Sequence, residues 1–353
     1  MSDQWMLYGA YGYTGRMMVD EAVSKGLRPV LAGRDEQRTS ELASRYDLSY
    51  RVFPLSDPGQ IRRHLEDMRL VLHCAGPFSA TAEPMMRACI DSHTHYLDIT
   101  GEIDVFALGQ SLHDQARHAD VVLIPGVGFD VVPTDCLAAR LAEQLPAATS
   151  LNLAFEAAGG PSPGTAKTSV EGLANGGRIR KDGELISVPL AWKSRRIPFP
   201  AGERQAVTIP WGDVFTGYIS TGIPNIAVYL AMPPATIKRL QRMRWLQPLL
   251  GWGPVQKMMK NRVDKSIKGP SGETREATGC QLWGEVLAAD GRRASATMTT
   301  PNGYQLTVSA ALGITEHLLA ESVEGGYYTP SLLMGSGYAE SLPGVEIKLS
   351  EPA

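Results

Sequence analysis

The strongest constraint in this chain is an alternation. Six times in the first 145 residues a short strand-like run, mostly apolar, is followed by a stretch of helical periodicity. WMLYG precedes RMMVDEAVSKG, PVLAG precedes DEQRTSELASRY, and LSYRVFPL precedes PGQIRRHLEDM. RLVLHCAG then precedes TAEPMMRACIDS, HYLDIT precedes IDVFALGQSLHDQARHA, and VVLIPG precedes VPTDCLAARLAEQL. Short apolar strands are the kind that are buried on both faces. The pattern therefore predicts a parallel sheet with helices on both sides. With 353 residues, 43% of them hydrophobic, the chain can build this domain and a second core.

The pattern changes near Pro146. Two segments, RIRKDGELISVP and LWGEVLAADGRRASATMTT, carry Asp-Gly at 182–183 and 290–291 between strand-like halves. Asp-Gly supplies the positive φ that tight hairpins need, so both segments read as antiparallel pairs. SAALGITEHLLAESVE, residues 309–324, reads as a late helix, and the Gly-, Pro- and Tyr-rich tail from Gly325 as an ordered loop. The predicted class is α/β. A Rossmann-type parallel sheet domain over 1–145 is followed by an α+β domain with a mixed or antiparallel sheet over 146–308, serving substrate and dimerisation. A C-terminal helix and tail over 309–353 can pack back on the first domain.

The first strand–helix junction is GAYGYTG, with Gly9, Gly12 and Gly15 interleaved with Tyr11, Tyr13 and Thr14. A glycine triplet between a strand and a helix is the context in which a phosphate cradle forms. Gly9 permits the tight turn, Gly12 lets the backbone approach a pyrophosphate, and Gly15 lets helix and strand pack closely. The helix N-terminus adds N–H donors and a positive dipole end. The spacing is G-x-x-G-x-x-G rather than the commoner G-x-G-x-x-G, and a structural turn is the alternative. The end of the second strand selects the dinucleotide. NAD wants a carboxylate there for the ribose 2′-hydroxyl, and NADP wants a cation for the 2′-phosphate. The sequence offers Gly33 and then Arg34, with Arg38 one helical turn on. A guanidinium forks onto phosphate, so NADP (as NADPH) is favoured over NAD. Asp35 is the competing carboxylate and also a natural helix N-cap.

Composition excludes several classes. A net charge of −3 gives no global basic field for nucleic acid. The four cysteines, Cys74, Cys89, Cys136 and Cys280, form no C-x-x-C pair, which argues against a zinc knuckle or redox dithiol. Sparse cysteines, and an N-terminus without a signal-peptide pattern, lead to the expectation of a cytoplasmic protein. His93 and His95 form an H-x-H pair, but no third ligand follows convincingly, so no metal is expected.

Three further stretches fall where loops leave the carboxyl ends of strands, the usual ligand position in open α/β sheets. They are CAGPF (74–78), DITGE (98–102) and GVGFDVVPTD (126–135). With GAYGYTG and AGR, and with GT at 164–165, STGIPNIAVY at 220–229 and GYYTPSLLMG near the C-terminus, the chain resembles the saccharopine dehydrogenase-like oxidoreductase family. The resemblance covers most of the chain. It implies an NADP(H)-binding Rossmann domain, a second domain closing over the nicotinamide, and a homodimer. It implies that Ala75, Gly76, Pro77 and Phe78 line the nicotinamide ribose and ring, and that Thr165 reaches the active cleft.

The candidate catalytic residues are Asp98, Glu102 and Asp130. Asp98, Thr100 and Glu102 form either a polar shell able to relay a proton or the cap of the following helix. Asp130, in a Gly-rich turn ahead of a helix, is a stronger candidate than Asp135 within it. The expected reaction is hydride transfer to or from a C=N, C=O or activated C=C group. Arg178, Arg180, Lys193, Arg195 and Arg196 are the cations available for substrate carboxylates, but they read equally well as surface charges. With no convincing carboxylate-binding set, the expectation is against saccharopine itself. Trans-acting enoyl reductases in the same family act on carrier-delivered acyl chains, which gives a second reading with a lipid or carrier-bound substrate. A third is a non-catalytic NADP-binding sensor or scaffold, since fold alone never proves chemistry. Residues 235–268 are basic, with Asp264 the one acid, and carry Trp245 and Trp252. They read as a solvated helix packed by its apolar side, or as a basic helix touching an anionic membrane surface or an acidic carrier domain.

Overall fold

The computed structural model describes residues 4–351. The chain divides into two compact units, Met1–Asp130 with Thr307–Leu333, and Val131–Leu306 with Met334–Ala353.

The first unit holds all six predicted strands: β1 (Trp5–Tyr8), β2 (Val30–Gly33), β3 (Tyr50–Val52), β4 (Leu70–His73), β5 (His95–Asp98) and β6 (Val122–Ile124). They pair in parallel in the order 6-5-4-1-2-3. This is the doubly wound order, and it reverses direction at β1, between β4 and β2. Every residue of β1, β2 and β4 is buried, because helices cover both faces of the sheet. One core layer packs Met6, Tyr8 and Val71 against Met85, Met86 and Cys89 of the helix Phe78–Asp91.

The second unit carries β7 (Ala148–Ala157), β8 (Gly177–Lys181), β9 (Glu184–Val188), β10 (Ser194–Phe199), β11 (Gly202–Ile209), β12 (Asn225–Ala231), β13 (Gly279–Ala288) and β14 (Arg293–Pro301). Its sheet is mixed: β12 and β7 are parallel, while β7–β13, β13–β14 and β11–β12 are antiparallel. Both Asp-Gly pairs sit at hairpin turns. Asp182 and Gly183 take φ of 51° and 82° between β8 and β9, and Gly291 takes 93° between β13 and β14.

The boundaries differ from the sequence expectation at both ends. The first division falls after Asp130 rather than at 145, because the helix Val132–Gln144 belongs to the second unit. Its Leu137 and Leu141 pack so closely on Gly284 of β13 that a Cβ there would sit 2.7 Å from Leu141 Cδ1. The C-terminal stretch is not one module either. The late helix runs Gly303–Ala320, and its carboxyl end is held by Arg69, which donates to the carbonyls of Leu318 (3.0 Å) and Glu321 (3.1 Å). The tail then contributes β15 (Gly326–Tyr327), which pairs in parallel with β6 and extends the first sheet. Beyond it, β16 (Glu346–Leu349) pairs antiparallel with β14 in the second unit.

Candidate active site

The glycine loop leaves β1 at the point where the strand order reverses. Gly9 has φ of +83°, and a Cβ on it would lie 2.8 Å from the Ala75 nitrogen, so the loops after β1 and β4 touch backbone to backbone. A Cβ on Gly15 would sit 2.3 Å from the Gly9 carbonyl oxygen, which fixes the helix Tyr13–Ser24 tightly against the turn. Gly12 caps that helix without a side-chain hydrogen bond. Its first turn therefore presents backbone N–H groups that no capping side chain claims, as an anion site requires. Tyr11, Tyr13 and Thr14 are half-buried around this turn. A dinucleotide pyrophosphate fits this cradle, where glycine supplies both the turn and the close backbone approach.

Beside the cradle, Tyr11 lies on Gly33, where a Cβ would meet the ring at 2.4 Å. Arg38 stacks over the ring, its Cζ 4.5 Å from the centroid. Asp35 accepts from the Arg38 N–H (3.0 Å) and caps the helix Glu36–Tyr46, so its role as N-cap is the observed one. Arg34 is exposed and forms no ion pair among the described residues. The end of β2 therefore presents a cation, while the neighbouring carboxylate is engaged by the backbone.

The loop after β4 holds Ala75, Gly76 and Pro77, with Gly76 exposed and Phe78 buried. The Phe78 ring meets His73 edge-on, with centroids 5.4 Å apart, so it forms the floor of the loop and belongs to the core. Thr81 ties the loop to its helix by donating to the carbonyls of Ala75 (2.7 Å) and Pro77 (3.1 Å). Its oxygen is 3.0 Å from His73 Nε2. With the Thr81 hydroxyl proton committed to carbonyls, His73 donates from Nε2, and Nδ1 is a buried acceptor with no partner among the described residues. Burial holds this imidazole down to about 3, so it stays neutral.

The three carboxylates predicted as catalytic have different surroundings. Asp98, at the end of β5, is fully buried and accepts from the Tyr96 hydroxyl (2.6 Å) and from the N–H groups of Thr100 and Gly126 (both 2.9 Å). It ties the loop after β5 to the loop after β6. Burial pushes its carboxyl up to about 7 against the pull of those hydrogen bonds. Glu102 accepts from the N–H groups of Phe78 (3.0 Å) and Ser79 (2.7 Å), so its carboxylate sits on the N-terminus of the helix Phe78–Asp91. Asp130 has no hydrogen-bond partner among the described residues. Its Oδ2 rests against Gly101, where a Cβ would approach to 2.7 Å. Burial, reinforced by the charge of Glu102, pushes Asp130 up to about 7. The loop that carries it is propped by Thr307, whose Oγ1 accepts from the Phe129 N–H at 3.0 Å. These contacts link the loops after β1, β4, β5 and β6 into one cluster at the carboxyl edge of the sheet.

Of the other candidates, Asp135 is buried in its helix and accepts from the Ser220 hydroxyl. In the second unit, Thr165 lies 3.1 Å from the Ser162 hydroxyl and 3.3 Å from that of Tyr304. His95 Nδ1 accepts from the Val122 N–H at 3.0 Å, and His93 donates to the Ala119 carbonyl at 2.8 Å, so both are structural. Among the described residues no group of three metal-ligating side chains forms. Sequence reasoning did not single out His73, Thr81, Gly101 or Thr307. The available signals were a histidine ending an apolar strand and the glycine inside DITGE.

Residues 5–124 match the family model for the saccharopine dehydrogenase NADP binding domain. The first unit carries that domain. A probable mitochondrial saccharopine dehydrogenase-like oxidoreductase of Arabidopsis thaliana is 29% identical over 202 residues, covering 50% of this chain and 44% of the relative. A trans-acting enoyl reductase of Mycobacterium leprae is 30% identical over 138 residues, covering 37% and 33%. The match thus spans less than half the length of either relative. Among solved structures, apo saccharopine dehydrogenase (L-Glu forming) of Saccharomyces cerevisiae superposes over 98% of this chain and 99% of its own, with a TM-score of 0.69 at 11% identity. A homospermidine synthase of Legionella pneumophila, solved with NAD, gives 0.65 at 12% identity over 99% and 92%. Both likenesses show the fold. The same fold thus serves chains named for different reactions. Among the described residues no helix is long and apolar enough to cross a membrane.

Proposed function

We propose that this chain is an NADP-dependent oxidoreductase that moves hydride to or from a C=N, C=O or activated C=C group, with Asp130 handling the accompanying proton. The observation that carries this reading is Asp130 itself. Its carboxyl has no hydrogen-bond partner among the described residues, is pushed up to about 7, and stands at the sheet edge against Gly101 of the loop that follows β5. A carboxylic acid with that affinity for its proton can give it up near neutral pH and take it back. Bound reduced nicotinamide supplies the hydride. The chain's own residues do the rest. Gly9, Gly12 and Gly15 admit the pyrophosphate, and Arg34 holds the 2′-phosphate. Ala75, Gly76 and Pro77 border the nicotinamide ribose, with Phe78 beneath them. Asp98 and Glu102 fix the loops that carry and flank Asp130.

The second unit favours a neutral or acyl substrate over a dicarboxylic amino acid. Of the five candidate cations, Arg180 is buried and donates to the carbonyls of Val214 and Gly183. Arg195 pairs with Glu285, and Arg196 with Glu203. Three of the five are thus committed within the protein, which supports a trans-acting enoyl reductase-like reaction on a carrier- or lipid-borne chain. A cytoplasmic location is consistent with four free cysteines. A homodimer is carried over from the family resemblance, and light scattering reads it directly. No nucleic-acid partner is proposed.

The test is a fluorescence titration with NADPH and NADH, with Arg34→Ala alongside. NADPH should bind more tightly than NADH. Arg34→Ala should weaken NADPH about tenfold or more and leave NADH unchanged. Equal affinity of the parent for both would remove the NADP assignment. Tight NADPH binding without turnover on imine, ketone and enoyl panels would favour a non-catalytic sensor instead.

A further inference from the structure

Large apolar side chains rarely stand exposed on this protein. Eight do so among the described residues, and five of the eight fall within Trp245–Met258: Trp245, Leu246, Leu249, Trp252 and Met258. Trp245 is 84% exposed, Trp252 62% and Met258 64%. The segment that bears them is helical for most of its length, through Pro234–Arg242, Met243–Leu246, Gln247–Leu250 and Gly253–Ser266.

The exposure does not come from a loosely attached segment. Ile237, Leu250 and Val263 are buried. Arg244 donates to the carbonyls of Leu190 (2.7 Å) and Ala191 (2.6 Å). Gln247 donates to the Ala174 carbonyl (3.1 Å), Gln256 to that of Val170 (3.0 Å), and Lys260 pairs with Glu171. The inward side is therefore fixed to the helix Pro163–Asn175 and to the chain around Leu190, while the tryptophans point away from both. Charge selects the occupant. Residues 234–268 hold nine Lys and Arg against one acid, Asp264, whose side chain lies outside the described residues. Arg242, Lys257, Arg262 and Lys265 are exposed around the apolar ridge.

We propose that Trp245–Met258 and its flanking cations form a docking surface for an anionic lipid bilayer. Tryptophan is at home at the headgroup level, and basic side chains around an apolar ridge match anionic headgroups. The apolar groups protrude, as insertion into a fluid interface requires. A folded protein partner would instead have to supply a pocket for each of them.

The test is cosedimentation of the full chain with phosphatidylcholine vesicles, with and without a minority of phosphatidylglycerol. The parent should pellet with the anionic vesicles at low salt, stay in solution with the neutral ones, and be released as salt rises. Trp245→Ala/Trp252→Ala should weaken partitioning about tenfold or more. Lys257→Glu/Lys265→Glu should weaken it while leaving the tryptophans in place. NADPH binding, which belongs to the other unit, should be unchanged in both variants and reports that each is folded. Absence of parent binding to anionic vesicles at low salt would overturn the proposal, as would binding that neither variant reduces. Capture of a purified acidic acyl carrier protein by this ridge, with no affinity for vesicles, would replace the bilayer with a protein partner.

Discussion

In the parallel sheet, β1, β2 and β4 are four residues long and buried throughout, so none of their side chains can meet a ligand. In the mixed sheet, β14 runs nine residues and, after the exposed Arg293, alternates between buried and half-buried positions. There one face packs under the helix Val132–Gln144 through Gly284 of β13, while the other gathers a smaller core of Ile197, Phe199, Tyr229 and Trp283 beside charged side chains. Arg195 on that face pairs with Glu285 at 3.3 Å and lies 4.9 Å over the Trp283 ring. A sheet covered on both sides confines its chemistry to loops at one edge, where backbone geometry decides everything. The mixed sheet sets ion pairs beside a core on the same face. Glycines and partner-free carboxylates are therefore informative in the first unit, and side-chain pairing is informative in the second.

The largest expected effect lies at the edge of the parallel sheet. Asp130→Asn should lower turnover about 10²–10⁴-fold while leaving NADPH affinity intact. Reduction by the parent should decline as pH rises through about 7, where this carboxyl loses its proton, and the variant should lack that step. Stability follows the same group. Its pKa is raised on folding, so the folded state gains from the bound proton at low pH and loses that gain as pH rises through about 7. Asp130→Asn should therefore melt above the parent at about pH 8 and level with it at about pH 4. Full activity in the variant would move the proton chemistry elsewhere.

The next effect contrasts two helical glycines. Gly15→Ala drives a Cβ to 2.3 Å from a backbone oxygen that cannot yield, and should cost about 3 kcal/mol or more together with dinucleotide binding. Gly172, inside the helix Pro163–Asn175, has nothing within 4 Å of its Cβ position. There Gly172→Ala should stabilise by about 0.5–1 kcal/mol in urea denaturation. If both substitutions behaved alike, the first helix would not be held by its turn.

The six strands were legible because each is an apolar run bounded by a turn and followed by a helical period. The hairpins were legible because Asp-Gly permits the positive φ that they adopt. The helix Val132–Gln144 was harder to assign: its period predicts a helix, but only its contact with Gly284 says which sheet it covers. β15 is two residues long, too short for any pattern. Within the candidate site, the glycine loop and Arg34 could be read locally. The engagement of Glu102 could not, since it closes a helix that begins 24 residues earlier in the chain. Nor could the isolation of Asp130, which depends on Gly101 in a different loop.

The first unit is completed late. Its sheet gains β15 only from residues 326–327, after residues 131–306 of the second unit have been threaded through the chain. During synthesis, β6 would wait with an open edge while about 200 further residues are made, at roughly 5–20 residues per second. An unpaired edge strand is an invitation to the wrong neighbour. The first unit would thus reach its final form within seconds of the second, and a chain ended near residue 306 would carry a glycine loop on an unfinished sheet.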